Sequence, residues 1–234
     1  MDSGSLAFSN YYTLNSNASV IDSILPVINW VNATPIAVNP GQPVNLTSNV
    51  TNNQGVDKVL VNVNRSASNS SMAKYSTDLY YYDQFNTNIS PGVYNYTVYA
   101  NDTSHLWAVP VTANFTVNAV CGISLNNYSM QFGNVSVGVE SAEKTVNISN
   151  SGNALANITV RGTNWTGTGQ LPSQKTAYSN SSGNFASKFL MNITDAFVQQ
   201  MNAWSNMLMY FQFKPDLGTS AGTYSQNITI TSTC

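Results

Sequence analysis

The sequence predicts an all-β protein built as two antiparallel β-sandwiches in tandem, preceded by a strand-forming N-terminal arm. Three observations point there. Short runs of alternating apolar and polar residues recur along the chain, separated by Gly, Pro and Asn turns. Asn, Ser and Thr account for 84 of 234 residues, while charged residues are only 8%, against about 25% in an ordinary soluble domain. Hydrophobic residues at 42% and aromatics at 11% still supply material for packed cores.

Taken in order, residues 1–25 form the arm. Leu6, Phe8, Tyr12 and Leu14 alternate with Ser5, Ala7, Ser9 and Thr13, a strand pattern. Residues 26–119 are read as the first sandwich, with strands at 27–31, 44–50, 59–63, 79–82, 93–100 and 113–117. Turn chemistry at Asn39-Pro40-Gly41-Gln42-Pro43, Asn52-Asn53-Gln54-Gly55 and Ser90-Pro91-Gly92 separates them. Residues 120–234 are read as the second sandwich, bracketed by Cys121 and Cys234, with strands at 123–125, 130–133, 145–148, 154–160, 209–213 and 224–230. One short helix is expected over 195–208, where Phe197, Met201, Trp204 and Leu208 fall at helical spacing and Thr194 or Asp195 could cap it.

The Asn residues are not randomly placed. The glycan-acceptor pattern Asn-x-Ser/Thr starts at Asn17, Asn32, Asn45, Asn49, Asn64, Asn69, Asn88, Asn95, Asn101, Asn114, Asn127, Asn134, Asn147, Asn157, Asn164, Asn180, Asn192 and Asn227. Chance pairing of 33 Asn with this Ser/Thr content gives about seven such starts, not eighteen. In twelve of them the middle residue is apolar: Leu46, Val50, Ile89, Tyr96, Phe115, Tyr128, Val135, Ile148, Ile158, Trp165, Ile193 and Ile228. On a strand, Asn and Ser/Thr then face water together while the residue between them enters the core. Dense N-glycosylation requires export. Residues 1–10 lack the basic start and apolar run of a signal peptide, so this reading implies that the numbering describes a processed or truncated form. No stretch of eighteen apolar residues offers a transmembrane helix.

Other chemistries find little support. A net charge of −2 gives no footprint for nucleic acid. One His and two Cys nearly exclude a multi-ligand metal site, and no cofactor is implied. His105, beside Asp102 in a loop, reads as solvated, and nothing resembling a nucleophile elbow stands near it, so no enzyme activity is expected. Tyr80-Tyr81-Tyr82 with Tyr99 and Trp107 could form a sugar-stacking platform, although alternate tyrosines of a strand more naturally pack a core. Lys58, Lys74 and Lys144 are candidates for an isopeptide cross-link. Cys121 and Cys234 could pair within the domain, pair between subunits, or stay free. The ends of a sandwich domain commonly lie at opposite poles, which weighs against the first option.

The first half resembles the immunoglobulin-like modules of archaeal and bacterial surface proteins at Val38-Asn39-Pro40-Gly41-Gln42-Pro43-Val44, at residues 92–102 and at Phe115-Thr116-Val117. The second resembles a related surface repeat at Phe132-Gly133-Asn134-Val135-Ser136-Val137-Gly138, Asn150-Ser151-Gly152-Asn153-Ala154 and residues 222–230. The alternating arm, the sandwich and the acceptor density are similar to archaeal filaments whose glycosylated subunits join by donating an N-terminal strand. That resemblance implies an extracellular structural subunit that polymerises with copies of itself, head to tail, by strand donation through Leu6, Phe8, Tyr12 and Leu14. The alternative for the arm is a frayed terminus or an extra edge strand on its own first sandwich. A surface-layer or adhesin segment and a secreted carbohydrate-binding module are the rival readings. With so few charges, assembly is expected to respond weakly to pH and salt.

Overall fold

The computed structural model describes residues 21–64 and 66–234; the arm residues Leu6, Phe8, Tyr12 and Leu14, and Asn17, lie outside them. The first half comprises β1 (Val27–Thr34), β2 (Ala37–Val38), β3 (Asn45–Thr51), β4 (Val56–Val63), β5 (Ser70–Ser71), β6 (Ala73–Lys74), β7 (Leu79–Tyr82), β8 (Gly92–Asp102) and β9 (Val111–Val117). The second comprises β10 (Ile123–Leu125), β11 (Lys144–Asn150), β12 (Ala156–Gly162), β13 (Thr166–Gly167), β14 (Thr176–Ser179), β15 (Phe189–Leu190), β16 (Ala196–Met201), β17 (Asn206–Phe213), β18 (Tyr224–Ser225) and β19 (Ile228–Thr233). Two 3-10 turns at Ser173–Lys175 and Phe185–Ser187 are the helical content of the described residues.

In the first half a sheet ordered β1-β3-β7-β6 packs on one ordered β2-β9-β8-β4-β5. The chain changes sheets between β1 and β2, and β2 then runs parallel to β9 while the longer strands pair antiparallel. This is the strand order of an immunoglobulin-like sandwich. Alternation builds its core: Leu46, Ser48 and Val50 of β3, and Tyr94, Tyr96, Val98 and Ala100 of β8, all point inward. The Phe115 ring stacks on Tyr94 at 5.7 Å and meets Phe85 edge-on at 5.5 Å. The Tyr94 hydroxyl donates back to the Ser90 carbonyl (2.7 Å), the tyrosine corner characteristic of such sandwiches.

The second half packs a sheet ordered β10-β11-β17-β14-β15 on one ordered β16-β12-β19, with β13 and β18 as a small separate pair. Its core gathers Val146, Ile148, Ile158, Val160, Tyr178, Phe211 and the methionines Met191, Met201, Met207 and Met209. Every strand pair lies within one half, and the two core clusters share no residue.

Two expectations fail here. Residues 195–208 form no helix: they are β16, a turn through Trp204, and the start of β17. Phe197, Trp204 and Leu208 are exposed, whereas Met207, Met209 and Phe211 go inward. The pattern fits both periods, and the backbone partners offered by β12 and β11 decide for the strand. Residues 130–133 also form no strand, and the whole stretch 126–143 runs without strand pairing.

The join between the halves is pinned by Asn153, which is 2% exposed. Its amide donates to the carbonyls of Ile89 (2.9 Å) and Asn118 (3.0 Å), and its oxygen accepts from the Val120 N–H (2.8 Å). Gly152 beside it has no room for a side chain, because a Cβ would collide with the Val120 carbonyl oxygen. Asn150, equally buried, donates to the carbonyls of Ala154, Met201 and Asn202 and accepts from Gly152 N–H. Replacing Asn153 by Ala leaves one buried donor and two acceptors without their partner. We expect a loss of about 1–3 kcal/mol for the best-buried of these groups, read as a lower urea midpoint for Asn153→Ala at unchanged slope.

Candidate functional site

The acceptor asparagines fall into two classes. Asn32, Asn45, Asn49, Asn95, Asn114, Asn147 and Asn157 stand on strands, and their middle residues Ala33, Leu46, Val50, Tyr96, Phe115, Ile148 and Ile158 are buried. Asn64, Asn69, Asn88, Asn127, Asn134, Asn164, Asn180, Asn192 and Asn227 stand outside strands. There the apolar centre can face water: Tyr128 is 86% exposed and Ile193 59%. Asn101 is a correction to the acceptor set. It is 3% exposed, its amide donating to Asp57 (3.3 Å), because β8 ends there under the Thr103–Leu106 turn. An attached sugar would have no space.

A concavity of about 1040 Å³ lies in the second half, between β19 and the opposite sheet. Leu125, Val146, Phe211, Phe213, Ile228 and Ile230 form its apolar floor. An aromatic group closes its outer end: Trp165 lies 4.4 Å from Phe213 and 6.1 Å from Phe132. The irregular stretch 127–137 forms its remaining wall.

An internal repeat explains why the cavity is there. Ser90-Pro91-Gly92-Val93-Tyr94 and Ser220-Ala221-Gly222-Thr223-Tyr224 share the pattern Ser-x-Gly-x-Tyr. In both, the Tyr hydroxyl donates to the Ser carbonyl four residues earlier, at 2.7 and 2.9 Å. This aligns β8 of the first half with β18 and β19 of the second. But β8 is paired on both flanks, by β4 and β9, whereas β19 is paired by β12 alone among the described residues. The cavity sits where the counterpart of β9 would pack. The repeated Ser-x-Gly-x-Tyr is the signal in the sequence that marks this correspondence.

Cys121 and Cys234 are bonded within the chain, with Cα atoms 5.8 Å apart. Cys121 precedes β10 and Cys234 follows β19, so the bond ties the edge strands of the two sheets beside the cavity. The expected separation of the termini does not hold here because β19 runs back toward the join.

Four of the eighteen charged residues form a cluster in the same half. Lys188, its side chain fully enclosed, binds Glu143 at 2.6 Å and donates to the Gly183 carbonyl. Glu143 also accepts from the Ser182 hydroxyl (2.7 Å) and Gly183 N–H (3.0 Å), while Glu140 accepts from Phe185 N–H (3.1 Å) and Lys214 (3.4 Å). The Phe185 N–H, aided by Lys214, holds the Glu140 carboxyl below its ordinary range. Burial would raise Glu143, but the bonds from Lys188, Ser182 and Gly183 outweigh it and hold it low as well. The enclosed lysine is therefore Lys188. Lys58 and Lys74 are exposed and Lys144 is half-buried.

The aromatic platform is not assembled. Tyr80 is buried in the core, Tyr81 stands on the outer face of one sheet, and Tyr99 belongs to the other. His105 is exposed, with φ +65° in its turn. No group of three or more His, Cys, Asp or Glu that could hold a metal ion occurs among the described residues. No helix among them is long and apolar enough to cross a membrane.

No protein-family model and no curated protein matches the chain. Among solved structures it is similar to a chaperone–tip adhesin complex of CFA/I fimbriae, at 14% identity and TM-score 0.37 over 84% of this chain and 76% of that one. It is similar to the CupB6 tip adhesin from Pseudomonas aeruginosa, at 9% identity and TM-score 0.32 over 90% and 92%. It is also similar to fibronectin(III)-like modules of Clostridium thermocellum CbhA, at 10% identity and TM-score 0.29 over 84% and 92%. At these identities and scores nothing about this chain's partners or chemistry follows from the likeness.

Two outcomes are expected. Because both glutamates are held low, the folded state binds fewer protons than the unfolded chain in acid. Their stabilisation is complete above the ordinary carboxylate value of about 4.3 and is lost as pH falls through the depressed values. Thermal midpoints should fall from pH 7 to about pH 3, and less steeply in Glu143→Gln. Reducing the disulfide reopens a separation of 113 residues, which should cost up to about 4.7 kcal/mol in the chain-entropy model. Urea melts with and without reductant measure that difference.

Proposed function

We propose that this chain is the repeating, non-enzymatic subunit of a glycosylated extracellular filament, in which the arm of one copy fills the cavity beside β19 of the next. The observation that carries the reading is the unpaired flank of β19, set against the doubly flanked β8 that shares its tyrosine corner. An edge strand offers a row of backbone donors and acceptors, and an added strand takes both these and the apolar floor beneath. The arm sequence suits that seat. Leu6, Phe8, Tyr12 and Leu14 have the even spacing that would place them on one face of an added strand, as Val111, Ala113, Phe115 and Val117 are on β9.

The placement of the two parts favours a chain over a closed ring. Residues 21–26 enter the first half at the pole where Val27 meets Thr51, while Val117 and Gly92 lie toward the join. The cavity runs from Leu125 outward past Phe213 and Trp165, away from the join. Donor and acceptor thus stand at opposite ends, and a heterologous contact of that kind propagates. We further read the two halves as separate domains and the disulfide as a mark of an oxidising, extracellular setting.

Deleting residues 1–14 should abolish filaments in negative-stain micrographs, and Ile230→Asp in the cavity floor should do the same while the monomer stays folded by circular dichroism. Filaments that persist after the deletion overturn strand donation.

A further inference from the structure

We propose that the sugars are added in two stages, with the strand-borne acceptors served before the chain folds and four exposed loop-borne acceptors open to modification afterwards. This rests on the reading of the chain as an N-glycoprotein. In the reaction, the anomeric carbon of a polyprenyl-phosphate-linked oligosaccharide is displaced onto an Asn side chain. The bond from that carbon to the phosphate oxygen breaks, a bond to Asn Nδ2 forms, the amide gives up one proton to solvent, and the lipid phosphate leaves with the bonding pair.

The acceptor pattern requires a hydroxyl two residues after the Asn, so the transferring enzyme must hold both side chains and the backbone between them. The fold denies that grip at six places. Asn45, Asn49, Asn95, Asn114, Asn147 and Asn157 are followed by Leu46, Val50, Tyr96, Phe115, Ile148 and Ile158, none more than 1% exposed. Their strands are paired: β3 between β1 and β7, β8 between β4 and β9, β9 along β8, β11 between β10 and β17, and β12 between β16 and β19. Several of the required hydroxyls are engaged as well. Thr97 bonds Thr112 (2.8 Å), Thr159 bonds Thr231 (2.5 Å), Thr47 donates to the Asn32 carbonyl (3.3 Å), and Thr51 accepts from Asn29 (3.1 Å). Lifting any of these segments into an enzyme cleft would strip a sheet and empty part of a core.

Asn127, Asn134, Asn180 and Asn192 are different. All four are exposed and outside strands, and their middle residues Tyr128, Val135, Ser181 and Ile193 are exposed or half-buried. A cleft can take them without opening a strand, although at Asn180 it must displace the bonds from Ser182 to Glu143 (2.7 Å) and from Asn180 to Gln199 (2.8 Å). The strand sites, by contrast, are reachable only from opened molecules, whose population is set by the folding free energy.

The test uses the full unglycosylated chain, folded and oxidised, and a proteolytic digest of the same chain as the fully accessible reference. Both are incubated with an oligosaccharyltransferase and its lipid-linked oligosaccharide, and occupancy is read site by site by mass spectrometry. In the digest both classes should be modified. In the folded chain the strand sites should fall behind the four loop sites by about 100-fold or more, given ordinary domain stability. Equal modification of both classes in the folded chain, or no modification of the loop sites there, overturns the two-stage order. No modification of any site in the digest overturns the glycoprotein reading instead.

Discussion

A β-strand can send only every second side chain into a core, and this chain uses that single constraint for two purposes at once. At Asn95-Tyr96-Thr97 the outward pair makes a glycan acceptor and the inward Tyr96 meets the Phe115 ring at 6.4 Å. The same holds at Asn45-Leu46-Thr47 and Asn157-Ile158-Thr159. Core and outward acceptor pattern are therefore written in one alternating text.

The other organising fact is the accounting of backbone partners. Interior strands find them on both sides, and the irregular stretches find them through side chains, as Asn153 and Asn150 do around the join. β19 is one of the edge strands, and its unmatched flank borders the cavity and its apolar floor. An unmatched edge beside a cavity floored by Ile and Phe side chains is a ready template for an added strand. The disulfide at its end ties the edge strands of the two sheets together.

Much of the first half was legible in the sequence because its turns carry Pro and Gly and its strands alternate cleanly. Residues 79–82 and 113–117 were placed at or near their observed bounds. The second half was less legible for identifiable reasons. At 195–208 the apolar residues satisfy helical and strand spacing together, and only the neighbouring strands resolve the choice. At 130–133 the alternation is present but no strand lies alongside. The enclosure of Lys188 depends on a loop folding over Glu143, forty-five positions away, which local pattern cannot reveal. The cavity was hidden because an unmatched flank is a property of pairing across the chain, although the repeated Ser-x-Gly-x-Tyr gave a way to find it.

The covalent tie between Cys121 and Cys234 also has a mechanical meaning. Tension arriving from the first half along the pinned 118–120 segment reaches Cys121, crosses the sulfur bridge, and passes directly into the end of β19. The core of the second half is bypassed, so its Met-rich packing need not bear load. Were copies joined by strand donation as proposed, a pull between them would load the hydrogen bonds along β19 in shear, with the core of the second sandwich outside the covalent path.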